Sequence, residues 1–527
     1  MPAPRDFDVA EGRAQRLIGG LGLGYLQTAA TVLVGLWLTP FLLRQLGSHD
    51  YGLWLLGTQV VFYLGLMDLG IVALIPREVA SASGLPDGDR VNAIAERIGQ
   101  TAGVVLWQLP AVALAGAVVV WLLPPEWALL RGPIGLVVLV FVAAFPFRVF
   151  IAVLQGLQDL AFVGTTQLVS WLAGTVVTIA GIFAGFGLYS LTFGWVATQI
   201  VSAGMAWIRL VRTFPEVLPR QLPSLTLAAL RQQIGRGAWI SVSQLAQVLL
   251  SGTDLVVIGK LLGPEAVVPY ACTGKLITML ANQPQMFMQL ALPALSELRS
   301  SASRDRLFEV SRSMTQMMLL ASGAIVAVVL ATNQAFVTWW VGEKQFAGVA
   351  LTVLLLAGML LRHLNTTAVY ALFCFGNERR LALTAIAEGV GSTSATFALV
   401  PMLGVYGAAL GPLVATALIS LPNNLRALAR EEGTSATSLL TPLVPWLARM
   451  SVLLTAVAIL PFAVGLNGLM ALVVASVGVA AAYMATMMPV LRRPPLGPML
   501  SASLQPWAVR APLFVRRLAG QPVTLSN

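Results

Sequence analysis

Two basic residues stand where a hydrocarbon environment makes charge costly. Lys275 lies in the apolar run 266–293, and Arg362 lies near the middle of the run 346–375. Cations at such depth avoid lipid and mark pathways for polar or anionic cargo. Each has polar company at helical spacing. Lys275, Thr278, Asn282, Gln285 and Gln289 follow at i, i+3, i+7, i+10 and i+14, and Gln244, Gln247, Ser251 and Asp254 follow at i, i+3, i+7 and i+10. At about 100° per residue each set forms one stripe along its helix. Arg362 is followed by His363, Thr366, Thr367 and Tyr370, so three striped helices are expected to form a hydrated wall. The plainer account of the amides and hydroxyls is hydrogen bonding between helices; both accounts stay open for those positions, whereas function is expected for Lys275 and Arg362.

Acidic candidates are fewer. Asp68 and Asp254 suit binding of a proton or sodium ion, or pairing with a nearby Arg or Lys, and pairing is the expectation. His363, whose ordinary pKa of about 6.5 suits a proton relay, competes with the role of a helix-to-helix hydrogen-bond donor. Glu388 is expected to be solvated near the inner interface. Gly274-Lys275 lacks the upstream glycine and the Ser/Thr of a phosphate-binding loop, and no strand precedes the glycines at 19–24, so neither is a nucleotide motif.

These side chains need a membrane to matter. Of the 527 residues 57% are hydrophobic and 10% charged, against about 25% charged in a soluble protein. Spans of about 20 residues are expected at 19–46, 51–75, 99–123, 133–154, 161–186, 188–208, 237–262, 266–293, 314–341, 346–375, 381–402, 405–425, 443–464 and 467–490. The fold class expected is therefore all-α, a polytopic membrane protein of about 14 transmembrane helices. The net charge of +10 is spread over many short connections, which argues against a nucleic-acid partner. With a cytoplasmic N-terminus, every Lys and Arg falls on the inner side except Arg44, Arg131, Lys260 and Lys344 outside and Lys275 and Arg362 within helices. Such a bias predicts both termini in the cytoplasm. No cleavable leader is expected, and the stretch 498–521, with Trp507, Phe514, Arg510, Arg516 and Arg517, suits either an amphipathic segment on the inner leaflet or a basic tail. Cys272 and Cys374 fit neither metal spacing nor a disulfide framework.

Internal repetition is the strongest organisational signal. Arg44-x-Leu46-Gly47 recurs as Lys260-x-Leu262-Gly263, Pro76 as Pro293, Gly156 as Gly376, and Gly187-x-Tyr189 with Gly194 as Gly404-x-Tyr406 with Gly411. The offsets are nearly equal and each falls at the same point in the helix count. Two parallel six-helix lobes, related by a pseudo-two-fold along the membrane normal, plus an extra helix pair are expected. The domains are then 1–220, 221–432, the pair at 433–495, and a basic cytoplasmic tail at 496–527.

The pattern Pro40-x-x-x-Arg44-x-Leu46-Gly47, Tyr51-Gly52-Leu53-Trp54, Leu66-x-Asp68-Leu69-Gly70 and Arg77 resembles the opening of polysaccharide-transport flippases of the multidrug/oligosaccharidyl-lipid/polysaccharide exporter superfamily. Asp254-x-x-x-Ile258-Gly259-x-Leu261-x-Gly263, Tyr270, Lys275 and Pro293-x-x-Ser296 resemble the start of that family's second lobe. The resemblance implies a transporter rather than an enzyme, in the bacterial inner membrane, moving undecaprenyl-diphosphate-linked oligosaccharide between leaflets by alternating access for O-antigen, capsule or exopolysaccharide synthesis. Lys275, Arg362, Arg44 and Arg77 would then pair with the diphosphate, and Gln244, Gln247, Asn282, Gln285 and Tyr370 would replace water around the sugars. Asp68, Asp254 and His363 are the ion-coupling candidates. A proton or sodium ion, a polysaccharide polymerase and its export complex are the further partners considered; no cofactor or metal is expected. An ion-coupled multidrug or cation antiporter of the same superfamily is the alternative, kept open by the acids and by Met279, Met286 and Met288. A membrane-embedded glycosyltransferase would need outer loops longer than these.

Overall fold

The structure, a computed structural model, describes residues 6–68, 70–83, 85–219, 235, 241–242, 244–250, 252–301, 304–463 and 468–492. The helices are α1 (Asp6–Leu64), α2 (Ile71–Ala82), α3 (Asp87–Leu122), α4 (Ala128–Ala144), α5 (Arg148–Gly156), α6 (Leu160–Phe183), α7 (Leu188–Thr213), α8 (Thr253–Leu261), α9 (Pro264–Ser301), α10 (Arg304–Val341), α11 (Val349–Cys374), α12 (Glu378–Leu403), α13 (Val405–Ala415), α14 (Leu421–Glu432), α15 (Ala436–Leu440), α16 (Val444–Ala463) and α17 (Leu469–Leu491). Among the described residues eleven helices are long and apolar enough to cross a membrane. Large apolar side chains face outwards from them: Trp121, Phe183, Met402 and Leu418 are between 73% and 78% exposed, which suits hydrocarbon surroundings and not water. The chain is an all-helical, multi-pass membrane protein.

The expected spans at 19–46 and 51–75 run together in α1, which breaks at Gly47 (φ 78°, ψ 169°). Only glycine adopts such angles without strain. The polar-striped α9 is not among the eleven, and part of the expected span 237–262 lies outside the described residues. The chain divides into two compact units, one ending at Val268 and one beginning at Pro269. The expected lobe boundary at 220–221 and the tail 496–527 fall outside the described residues.

The repeated motifs take the same local shape. Gly187 (φ 53°, ψ −129°) and Gly404 (φ 59°, ψ −140°) turn the chain from α6 into α7 and from α12 into α13. The Ser190 N–H donates to the Gly187 carbonyl at 3.1 Å, as the Gly407 N–H donates to that of Gly404 at 3.0 Å. Glycine then lets the paired helices meet backbone to backbone. A methyl group on Gly194 would lie 2.6 Å from the Gly174 carbonyl oxygen, and one on Gly411 would lie 3.0 Å from that of Ser392. Gly47 and Gly263, which close the first repeated motif, both have positive φ, at 78° and 93°. One equivalence shifts. The turn that contains Gly376 (φ 81°) matches Gln158 (φ 61°) and not Gly156: Asp159 N–H bonds back to Leu154 as Asn377 N–H does to Leu372. Gly156 instead packs α5 on α2, where its Cβ would meet Val79 at 2.6 Å.

In the second unit, α16 and α17 lock onto α10 through one tyrosine. Tyr483 is 1% exposed; its hydroxyl donates to the Leu320 carbonyl at 2.8 Å and accepts the Trp446 Nε1–H at 3.1 Å. Both polar atoms that these rings bring into an apolar core are thereby satisfied.

Candidate functional site

In the first unit the site begins where helices are interrupted. α1 gives way to a 3-10 turn at Gly65–Asp68, and Gly70 follows in the left-handed region at φ 69°. Asp68 is left 3% exposed, with one carboxylate oxygen accepting the Gly70 N–H at 2.8 Å, so the acid fixes its own turn. Pro146, which has no N–H to continue a helix, sits in a second 3-10 turn, Phe145–Phe147, between α4 and α5. Arg148 opens α5 just after it. Its Nη2 lies 3.2 Å from the other Asp68 oxygen, and its guanidinium carbon lies 5.7 and 5.8 Å from the ring centres of Phe145 and Phe141. Nη1 is buried and has no hydrogen-bond partner among the described residues.

The pair lines a cavity of about 530 Å³, within the range of small-molecule sites. Gln155, Gln199, Ser202 and Gln244 complete its polar lining. Gln244 Oε1 is a further buried atom without a hydrogen-bond partner among the described residues. Among the described lining residues only Asp68 and Arg148 carry charge. Such a lining offers one cation, one competing anion and several neutral hydrogen-bonding groups.

The second unit arranges its polar groups differently. On α9, Lys275 is half-buried, Thr278 and Asn282 are exposed and Gln285 is intermediate, while Leu276, Ile277, Leu280 and Ala281 pack into the core. The stripe expected from spacing therefore turns away from the core. On α11, Arg362 is half-buried and its carbonyl accepts the Thr366 hydroxyl at 2.8 Å. His363 is fully buried and its Nδ1 bonds Ser322 on α10, the helix-to-helix role weighed above. Asn365 joins Ser420 at 3.1 Å and Asn424 at 2.8 Å. Tyr370 packs beside Met288, Met314, Met318 and Cys374.

Glu388 corrects an expectation. It is 5% exposed rather than solvated, and it accepts the Thr416 hydroxyl at 2.6 Å. Thr416 opens the π-helical turn Thr416–Ser420 that joins α13 to α14. Such turns interrupt helical hydrogen bonding and recur at functional sites.

Of the remaining candidates, Gln244 lines the first unit's cavity, whereas Gln247 is exposed. Asp254 stands in the first turn of α8 and accepts the Leu255 N–H at 2.9 Å. Arg44 and Arg77 are exposed, and neither lines that cavity.

Residues 130–350 match the family described as polysaccharide biosynthesis protein. Over 380 residues the chain is 22% identical to a putative O-antigen transporter of Shigella flexneri, covering 70% of this chain and 88% of that protein. Over 403 residues it is 20% identical to the membrane protein EpsK of Bacillus subtilis, covering 74% and 78%. Among solved structures, the lipid II flippase MurJ in an inward closed conformation superimposes with a TM-score of 0.61 at 12% identity, covering 89% of this chain and 99% of that one. An inward-facing multidrug resistance transporter of the MATE family of the MOP superfamily gives the same score at 14% identity, covering 79% and 99%. The chain has the fold that these two structures share. Its sequence resembles polysaccharide-transport proteins, as the motifs at 40–77 and 254–296 suggest.

Within this fold, sequence spacing misses Arg148. It falls near the inner end of the expected span 133–154, where it reads as a charge that sets topology. The available signal is Phe145-Pro146-Phe147 just before it, a helix break inside an apolar run that places the next side chain off the regular helical track.

Proposed function

We propose that this protein translocates a lipid-diphosphate-linked oligosaccharide from the inner to the outer leaflet of the bacterial inner membrane, by alternating access, for surface polysaccharide synthesis. The observation that carries the proposal is the chemistry of the polar groups set along its helices. Cations are accompanied by amides and hydroxyls: Lys275 by Thr278, Asn282 and Gln285, and Arg148 by Gln155, Gln199, Ser202 and Gln244. Such sets neutralise a diphosphate and replace water around sugar hydroxyls. The similarity to an O-antigen transporter and the fold shared with a lipid II flippase support the same cargo class. Both termini lie in the cytoplasm, supported by the distribution of Lys and Arg. In this mechanism Lys275 and Arg362 escort the diphosphate, Arg44 and Arg77 attract it near the membrane surfaces, and the lipid tail stays in the bilayer. A proton or sodium ion bound near Asp68, Asp254 or His363 drives the cycle, and a polymerase draws off the product outside.

Native mass spectrometry of the protein purified from its host membrane tests this. Co-purified lipid-diphosphate-linked glycan, displaced by added polyprenyl diphosphate, is the expected result. Retention of organic cations in its place, with dye efflux in vesicles, would overturn the proposal in favour of a cation antiporter.

A further inference from the structure

At the ends that the proposed orientation places inside the cell, the two matching hairpins treat the same arginine differently. In the first unit Asp159 stands just before α6 and Arg209 near the end of α7. Arg209 Nε donates to Asp159 at 2.8 Å, and its guanidinium carbon lies 4.9 Å from the Phe162 ring centre, so this cation is neutralised and partly covered by its own unit. In the second unit, at nearly the offset of the repeated glycines, Asn377 replaces Asp159, Arg380 replaces Phe162 and Arg426 matches Arg209. The acid and the ring are gone while the arginine is kept. The π-helical turn Thr416–Ser420, which α7 lacks, adds one residue of rotation, about 100°, before Arg426. Arg209 is half-buried, whereas Arg426 is exposed, and so is Arg430 one turn further on.

The surrounding charges leave that face basic. Arg379 is exposed at the start of α12, and Arg380 Nη2 donates to the Asn423 carbonyl at 2.8 Å, which ties this end of α12 to α14. The acids of α14 turn the other way: Glu431 accepts the Asn377 Nδ2–H at 3.3 Å, and Glu432, its side chain 2% exposed, pairs with Arg312 at 2.7 Å. Among the described residues no ion pair or hydrogen bond holds the side chains of Arg379, Arg426 and Arg430. Glu378, the remaining acid beside them in sequence, offsets one charge at most. Further along the same helical run, Leu418 is 73% exposed, about 12 Å from Arg426 at 1.5 Å per residue. An occupant of this surface is therefore apolar beside Leu418 and anionic beside Arg426, which is the chemistry of a phospholipid.

We propose that Arg379, Arg426 and Arg430 bind the headgroup of an anionic phospholipid of the inner leaflet and so fix the inner end of α12 and α14 to the membrane surface. Guanidinium forks suit phosphate oxygens, and basic groups at the cytoplasmic ends of spanning helices draw anionic lipid. The site is independent of the cargo, and it rests on the reading above only for which side faces the cytoplasm.

Native mass spectrometry of the full-length protein in detergent, titrated with phosphatidylglycerol, phosphatidylcholine or glycerol 3-phosphate, tests this. Wild-type protein is expected to hold phosphatidylglycerol more tightly than either of the others. Arg426→Gln should weaken that complex about fivefold and Arg426→Gln/Arg430→Gln about 25-fold. Arg212→Gln, which removes an exposed arginine of α7, should leave it unchanged. All three are surface substitutions, so thermal unfolding in detergent alone should stay at the wild-type midpoint; added phosphatidylglycerol should raise that midpoint in the wild type and not in the double variant. Undiminished phosphatidylglycerol binding by the double variant, or an equal loss in Arg212→Gln, overturns the proposal. Glycerol 3-phosphate held as tightly as phosphatidylglycerol, or polyglutamate bound in its place and lost in the double variant, overturns it in favour of a free phosphate or an acidic protein. Labelling of an Arg430→Cys variant by an impermeant maleimide applied outside cells would overturn the inner-leaflet assignment and the orientation it rests on, whatever the binding shows.

Discussion

The two units share their hairpins and differ in their polar interiors. In the first, the stretch between Gly132 and the Gln158 turn is broken by the 3-10 turn Phe145–Phe147 and carries Arg148, whose half-buried side chain pairs with the buried Asp68. In the second, the matching stretch between Gly348 and the Gly376 turn is one continuous helix, α11, and carries the half-buried Arg362 beside a neutral network of Asn365, Ser420 and Asn424. The first stretch is shorter by two residues, and the three-residue 3-10 turn, rising about 2.0 Å per residue against 1.5 Å in an α-helix, makes up about half of that length. At the head of both, a tyrosine hydroxyl meets the repeated glycine: Tyr189 beside Gly132 and Tyr406 beside Gly348. Packing positions are thus retained and charge-bearing positions have diverged, which is the pattern expected when a repeat supplies the scaffold and asymmetry supplies the chemistry.

Breaking the charged side should cost most. Arg148→Ala leaves Asp68 buried and uncompensated, and about 3–5 kcal/mol of stability should be lost; a melting temperature unchanged from wild type would show that the pair is not a buried ion pair in the membrane. In the second unit Thr416→Val removes the hydroxyl that Glu388 accepts at 2.6 Å, and a loss of about 2 kcal/mol is expected. Chemical denaturation in detergent should show this as a smaller midpoint shift than that of Arg148→Ala. Gly187→Ala and Gly404→Ala each place a side chain at φ 53° and φ 59° and should cost about 1–2 kcal/mol apiece. Equal shifts in the two would confirm a common scaffold, and a shift confined to one would separate the units.

The scaffold is legible in the sequence because it depends on local chemistry. Gly187-x-Tyr189 and Gly404-x-Tyr406 announce turns that only glycine takes easily, and apolar runs mark where helices lie, although α1, α3 and α10 start 13, 12 and 10 residues before the expected spans at 19, 99 and 314. The stripe Lys275, Thr278, Asn282, Gln285 is legible for the same reason, since helical periodicity alone puts these residues on one face. The Asp68 to Arg148 pair is not, because its partners stand 80 residues apart and meet only through two helix breaks. Glu388 misleads for a related reason: its position near a span's end suggests solvent, while the π-helical turn at Thr416–Ser420 brings a hydroxyl to it that no periodicity predicts. Arg44 and Arg77 attract attention as charges beside apolar runs, yet the structure leaves both exposed.

Translocation of a lipid-diphosphate-linked oligosaccharide in proteoliposomes, read as cargo made accessible on the opposite leaflet and normalised to protein, tests the account most directly. Wild-type protein should move the cargo, whereas Lys275→Ala and Arg362→Ala should move little of it at near-normal abundance and Arg362→Lys should retain part of the activity, since charge persists without the fork. Undiminished translocation by both alanine variants, or none by the wild type, would contradict it.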